Sequence, residues 1–222
     1  MQERNNLFSY PLEKLAGLIR ETGFHCSRCA RCCTRAFNGH VFLLDRDLRE
    51  ARRIDPVSIE PAPGPEFCDQ HGTFYVSGYA LRTQGDAAGS CWFLEDGRCR
   101  IYPQRFSICR ISPYSLRREP GGNGRIDWRY ISRPGEHGEY RHDIPIDMCL
   151  ALAREAKEYE NAFLAHEISF LEFMLDYFAQ NRLRHVQGTY NRQVQRSMRG
   201  EPVTVMAYCA GRLNEHLVIR PV

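Results

Sequence analysis

Apolar residues first fall into a helical rhythm at Leu12, Leu15, Ala16 and Ile19, which predicts a helix from Pro11 to Glu21 with Gly23 as its stop. The short apolar run Val41 to Leu44 predicts a strand. Asp45 is placed to cap a short helix that Asp55-Pro56 ends. Prolines at 56, 61, 63 and 65 then interrupt any periodicity and predict an extended surface loop. From Thr73 to Ser132 the pattern alternates loosely. It predicts antiparallel sheet, with Ile111 to Glu119 and Arg125 to Arg133 flanking the turn signal Pro120-Gly-Gly-Asn-Gly124. The strongest periodic segment is 147–181, with Asp147 as N-cap. Cys149, Leu152, Ala156, Tyr159 and Phe163 step by three and four, and the stripe continues through Leu164, Ile168, Leu171, Leu175 and Phe178. Strands in one stretch and a long amphipathic helix towards the C-terminus predict an α+β fold.

Composition narrows the class. At 222 residues and 43% hydrophobic, the chain suits one domain. No apolar stretch approaches the roughly 18 residues of a membrane span. The opening Met-Gln-Glu-Arg-Asn-Asn lacks the apolar core of a signal peptide, so a cytoplasmic location is expected. A formal charge of +3, from 30 basic and 27 acidic residues, is too near balance to announce a nucleic acid partner. The stretch 177–200 lacks Asp and Glu and carries Arg182, Arg184, Arg192, Arg196 and Arg199 around Tyr190; it reads as a solvated basic face. Gly121 to Gly124 leads into a strand-like segment, so it does not make a nucleotide-binding loop. Paired carboxylates, a serine elbow and an HExxH motif are all missing from the sequence, and no hydrolytic chemistry is indicated.

The cysteines supply the chemistry. Cys26, Cys29, Cys32 and Cys33 stand within the run His25-Cys-Ser-Arg-Cys-Ala-Arg-Cys-Cys-Thr34, a density that packing does not require. One CxxC loop offers two thiolates to a tetrahedral zinc, whose other pair comes from a distant loop. The overlapping CxxCxxC is the arrangement by which ferredoxins feed three irons of one cubane. This spacing favours an iron-sulfur cluster of the 4Fe-4S type, with zinc as the alternative, since thiolates suit both. Cys91, Cys99 and Cys109 follow in a second block, and Cys149 lies in the first turn of the long helix, where the dipole favours thiolate. These eight form the expected metal set. Cys91 and Cys99 are expected on one face of a hairpin whose three-residue loop is Glu95-Asp96-Gly97, with Leu94 opposite Arg98. Arg28, Arg31, Arg35, Arg98, Arg100, Arg105 and Arg110 lie near in sequence and can offset anionic charge. Cys68-x-x-His71 has ligand spacing but is an isolated pair, Cys209 reads as a buried inert thiol, and His166 and Glu167 read as surface residues.

The succession CxxCxxCC, the apolar strand with acidic turn Val41-Phe-Leu-Leu-Asp45-Arg-Asp47, then Cys91-x-Phe-Leu, Cys99-x-Ile-Tyr102 and Cys109-Arg110 resembles the YkgJ-like cysteine-cluster family of zinc- or iron-chelating domains. The resemblance covers residues 26–113, with Cys149 as the eighth cysteine. It departs where a proline usually precedes the last cysteine of the second block; Gln104-Arg105-Phe106 stands there instead. The resemblance implies metal binding. Through relatives described as flagellin lysine N-methylases it also implies methyl transfer to a protein substrate. The organisation expected is a single metal-stapled domain over 1–222, with core motif 26–113, helical region 147–181 and basic C-terminal segment 182–222. Two function classes follow: a metal centre used in redox chemistry or group transfer, or a zinc-stapled, non-enzymatic binding or maturation module.

Overall fold

The computed structural model describes residues 2–120, 126–131 and 136–219. The chain divides into two compact units, one of residues 1–38 and 87–164, the other of 39–86 and 165–222. The fold class is α+β as expected.

In the first unit, the helix Leu12–Thr22 buries Leu15, Ala16 and Ile19, the face its spacing selects. Gly23 ends it in the left-handed region at φ 53°, returning its N–H to the Ile19 carbonyl. A side chain is excluded there, because a Cβ would stand 2.3 Å from the His142 carbonyl oxygen. Ahead of this helix lies another, Gln2–Ser9, tied to the long helix Ile146–Gln180: Lys157 donates to the carbonyls of Tyr10 (2.5 Å) and Phe8 (3.2 Å), and Arg4 Nε to Asn161 Oδ1 (2.9 Å). The early part of the long helix buries Cys149, Ala153, Ala156, Tyr159 and Leu164. The hairpin Ser115–Pro120 and Ile126–Ile131 pairs antiparallel as expected; its turn lies outside the described residues.

The second unit carries two sheets. In the three-stranded one, Tyr79–Leu81 pairs antiparallel with Phe42–Leu43 on one side and Ile59–Pro61 on the other. In the four-stranded one the order is Arg212–Val218, Val203–Cys209, Phe74–Val76, Phe67–Cys68. Val203–Cys209 runs parallel to Phe74–Val76, a pairing of distant segments that local alternation does not reveal. The described part of the basic C-terminal segment, 182–219, is built into the fold. It forms the helix Gln187–Met198 and two of these strands, and Glu201 accepts from Arg196 and Arg199 at 2.9 Å each.

Three local expectations are corrected here. The helix Asp45–Ile54 has Leu44 at its N-cap, and Asp45 lies within the first turn, where its charge acts on the helix dipole. The proline-rich connector is half buried rather than a surface loop: a 3₁₀ turn, Pro56–Ser58, leads into the edge strand Ile59–Pro61, and Ser58, Glu60 and Ala62 are buried. An edge strand tolerates proline because one side of its backbone needs no partner. Finally, the stripe of the long helix shifts by one position in its later part. Phe170 and Met174 are buried with Tyr75 and Tyr208, whereas Leu175 is 73% exposed and Leu171 47%. That segment is apolar on most faces, so the aromatic partners Phe67, Phe173, Tyr177 and Phe178 decide which face is covered. His166, expected at the surface, is half-buried between the rings of Phe42 (5.4 Å) and Tyr208 (5.6 Å) and bonds the Ser77 carbonyl. Among the described residues no helix is long and apolar enough to cross a membrane.

Candidate metal centre

The first cysteine loop hangs from Gly23. Phe24 donates its N–H to the Tyr114 hydroxyl at 3.1 Å, and its ring lies against those of Tyr114, His137 and Tyr140. His25 forms a two-way backbone bridge with Glu139, at 2.8 and 2.9 Å. Beyond this anchor the loop turns back on itself. Arg28 and Ala30 take left-handed angles, φ 56° and 61°, and Arg31–Cys33 closes a 3₁₀ turn with Cys33 N–H on the Ala30 carbonyl. Left-handed geometry is unfavourable for residues with a Cβ, so something other than local preference holds the loop. Asn38 Nδ2 helps by bonding the Cys32 carbonyl at 3.1 Å.

The second block docks on the first through backbone. Cys91 N–H reaches the Cys33 carbonyl at 2.8 Å, and Arg35 N–H the Gly89 carbonyl at 2.9 Å. The turn at 94–99 differs from the expected one. Leu94 pairs with Cys99 and Glu95 with Arg98, while Asp96 and Gly97 both take positive φ, 48° and 70°. This is a two-residue Asp-Gly turn, whose twist suits a tight hairpin. The strand begins only at Leu94, and Cys91 caps a preceding turn by accepting the Leu94 N–H, so strand parity does not govern where Cys91 points. Phe93 and Phe106, both buried, pack with centroids 5.9 Å apart beneath the block, and Cys109 sits on the short helix Ser107–Ile111.

Seven of the eight expected cysteines lie near enough to one another for their charges to be felt along the set. Cys33 feels the charges of Cys32, Cys91 and Cys99; Cys109 those of Cys91, Cys32 and Cys99; Cys99 that of Cys26; and Cys29 that of Cys32. Three of the sulfurs share a motif: Cys29 accepts from the N–H of Arg31, Cys91 from that of Phe93 and Cys99 from that of Ile101, each two residues ahead. Such N–H to sulfur bonds favour the ionised thiol, the form a metal requires. Residues 25–133 match the CxxCxxCC family, described as a candidate zinc- or iron-chelating domain. This segment belongs to that family. No curated protein and no solved structure matches the chain.

Protonation in the CxxCxxCC domain is uneven. A hydrogen bond from the Cys33 thiol, working against burial and helped by Arg105, brings Cys32 down to about 7. Donating that hydrogen bond to Cys32, together with burial, pushes Cys33 far up. Burial raises the Cys29 thiol, but the N–H groups of Arg31 and Gly138 and the Ser27 side chain outweigh it and hold Cys29 below its ordinary value. Burial pushes Cys91 up to about 11, and burial plus neighbouring thiolates raises Cys109. These thiols cannot all ionise side by side unless a cation offsets them. Among the described residues no three His, Cys, Asp or Glu side chains stand in an arrangement that could hold a metal ion. The donor set itself, thiolates supported by backbone N–H groups, fits a thiophilic metal.

Cys149 is placed elsewhere in the same unit. It is fully buried, its thiol donates to the Ile144 carbonyl at 3.7 Å, and the charges it feels are those of Arg20, Asp147 and Asp143. Burial and the two carboxylates raise it above its ordinary value, against the expected helix-dipole effect. Cys68 is buried and raised to about 11, Asp69 accepts from the His71 N–H at 2.8 Å, and Cys209 is half-buried near Asp45. Several residues that shape the domain escaped sequence reasoning. Gly138, in the left-handed region, lies where a Cβ would meet the Phe24 ring at 2.3 Å, and nothing local in the sequence marks it. Tyr102 was visible in Cys99-x-Ile-Tyr102, without a stated role.

Proposed function

We propose that the CxxCxxCC domain holds an iron-sulfur centre, of the 4Fe-4S type by preference, with its ligands drawn from Cys26, Cys29, Cys32, Cys33, Cys91, Cys99 and Cys109. The observation that carries this reading is the overlapping CxxCxxC of Cys26, Cys29 and Cys32, the spacing that feeds three irons of one cubane, with further thiols supplied by a second block whose Cys91 N–H bonds the Cys33 carbonyl. When bound, such a centre supplies one-electron redox chemistry. The chain's own residues orient the sulfurs through the N–H groups of Arg31, Phe93 and Ile101, and Arg105 offsets negative charge beside Cys32. Group transfer to a protein lysine is the use the family resemblance adds, and it rests on the same centre.

The test is composition after anaerobic purification. Brown protein with iron and inorganic sulfide in matched amounts is the expected result. Colourless protein with stoichiometric zinc and no sulfide overturns it in favour of a zinc-stapled binding or maturation module.

A further inference from the structure

Tyr102 occupies the 3₁₀ turn Tyr102–Gln104, just beyond Cys99, and two guanidinium groups lie on its ring. The Arg28 Cζ stands 4.3 Å from the ring centroid and the Arg105 Cζ 3.9 Å. Arg28 comes from the first cysteine loop, between Cys26 and Cys29; Tyr102 and Arg105 come from the second block, between Cys99 and Cys109. The stack is braced behind. Arg105 Nε donates to the Tyr102 carbonyl at 3.1 Å, and Arg110 donates to the Arg105 carbonyl at 2.7 Å and to Glu155 on the long helix at 2.5 Å. The Tyr102 hydroxyl hydrogen-bonds the Cys26 sulfur.

We infer that Tyr102 is a positioning residue of the metal centre: its ring joins the two cysteine blocks through Arg28 and Arg105, and its hydroxyl orients the Cys26 sulfur, which would serve as a ligand. The inference rests on the metal reading above. Cation–π attraction fixes the ring without consuming its hydroxyl, which is left to serve the thiolate. A donor to a ligating sulfur both orients it and offsets its charge, and loss of such partners typically weakens metal binding about 10- to 100-fold. The ring therefore links residues far apart in sequence.

Two variants of the full chain test this, each with two readouts. In metal-free protein, alkylation by iodoacetamide is mapped cysteine by cysteine; in loaded protein, extraction of the metal by a chelator is timed. Tyr102→Leu is expected to raise the Cys26 alkylation rate several-fold while Cys91 keeps its rate, and to speed extraction by about tenfold or more. Tyr102→Phe keeps the stack and its cover of Cys26, so it guards against misfolding; losing only the donor that favours the thiolate, it should slow Cys26 alkylation and still speed extraction. Cys26 alkylated at the wild-type rate in Tyr102→Leu overturns the inference. A wild-type chain that takes up neither iron nor zinc overturns the metal reading, and is told apart because Cys26 still responds to Tyr102.

Discussion

Around the cysteines, between Gly23 and Asn38 and between Gly89 and Ile111, buried apolar side chains are few: Phe93, Ile101, Phe106 and Ile111. The path there is drawn by backbone hydrogen bonds and by left-handed residues at Arg28, Ala30 and Asp96. In the second unit, Tyr75, Phe170, Met174 and Tyr208 are buried together, and Phe67, Phe173, Tyr177, Phe178, Leu183, Met206 and Leu213 pack against them. Asp69 adds a polar clasp, accepting from the N–H groups of His71 and Thr73 and from the Tyr75 hydroxyl at 2.8 to 3.0 Å. One region buries enough apolar surface to hold its own shape. The other spends conformational freedom on left-handed turns and recovers little from burial, which makes it the region that bound metal would stabilise most.

The sharpest way to break this comparison is to remove the metal. Binding to thiolates supplies on the order of 10 kcal/mol, comparable with the whole stability of a domain at about 5 to 15 kcal/mol. Chelation, or Cys29→Ser, should therefore strip hydrogen-exchange protection from the amides of Cys33, Arg35 and Cys91 together, while the amides of Val203–Cys209 keep theirs. The long helix should also largely persist. Unchanged protection over 84–110 would show the centre to be an accessory, and a catalytic role would then explain the cysteines better than a staple.

The converse perturbation strikes the aromatic region. Phe170 is 1% exposed and its ring meets those of Phe67 (6.0 Å) and Tyr208 (5.6 Å), so Phe170→Ala should cost about 3 to 5 kcal/mol. Denaturant unfolding followed by tyrosine fluorescence measures the loss. Metal content per folded chain is expected to stay at the wild-type value, and a parallel fall in metal would dissolve the distinction drawn between the regions.

A pair of glycines sharpens it within the cysteine region. Both have positive φ, but a Cβ at Gly23 would stand 2.3 Å from backbone, whereas one at Gly97 meets nothing within 4 Å. Gly97→Ala should cost only the left-handed penalty, about 1 to 2 kcal/mol. Gly23→Ala must also displace His142 and should cost more, about 2 to 3 kcal/mol. Equal losses in thermal unfolding would mean that the approach of Gly23 to His142 is not what anchors the loop.

The sequence was most legible where one segment decides its own outcome. The helix Leu12–Thr22 and its Gly23 stop follow from four apolar positions and one glycine. The long helix, too, was readable as a helix. Its buried face was not, because Leu171, Phe173, Met174, Leu175, Tyr177 and Phe178 offer almost every direction, and only the opposing sheet selects Phe170 and Met174. The parallel pairing of Val205 with Phe74 joins segments about 130 residues apart in the chain and leaves no local trace. At the candidate centre, cysteine spacing named eight thiols, of which seven feel one another's charge and Cys149 is grouped with Arg20, Asp143 and Asp147. The turn at Asp96-Gly97 was misjudged because a tight turn and a bulged one share the same residues, and register alone separates them.

Cys149 gives the smallest and most discriminating effect. Its place in the expected set came from the cysteine count and the helical stripe, and both remain true of it: it is buried in the first turn of the long helix. A buried thiol needs no metal, however. This one donates to the Ile144 carbonyl and is surrounded by Arg20, Asp143 and Asp147 rather than by other sulfurs. Cys149→Ala should then cost on the order of 1 kcal/mol, as a lost contact in a helix face, and leave the metal-to-protein ratio untouched. Cys109→Ala, by contrast, removes a thiol among Cys32, Cys91 and Cys99 and should lower that ratio. If metal analysis finds the ratio falling as far for Cys149→Ala as for Cys109→Ala, the long helix contributes a ligand after all, and the cysteine region is closed by a packed helix as well as by its loops.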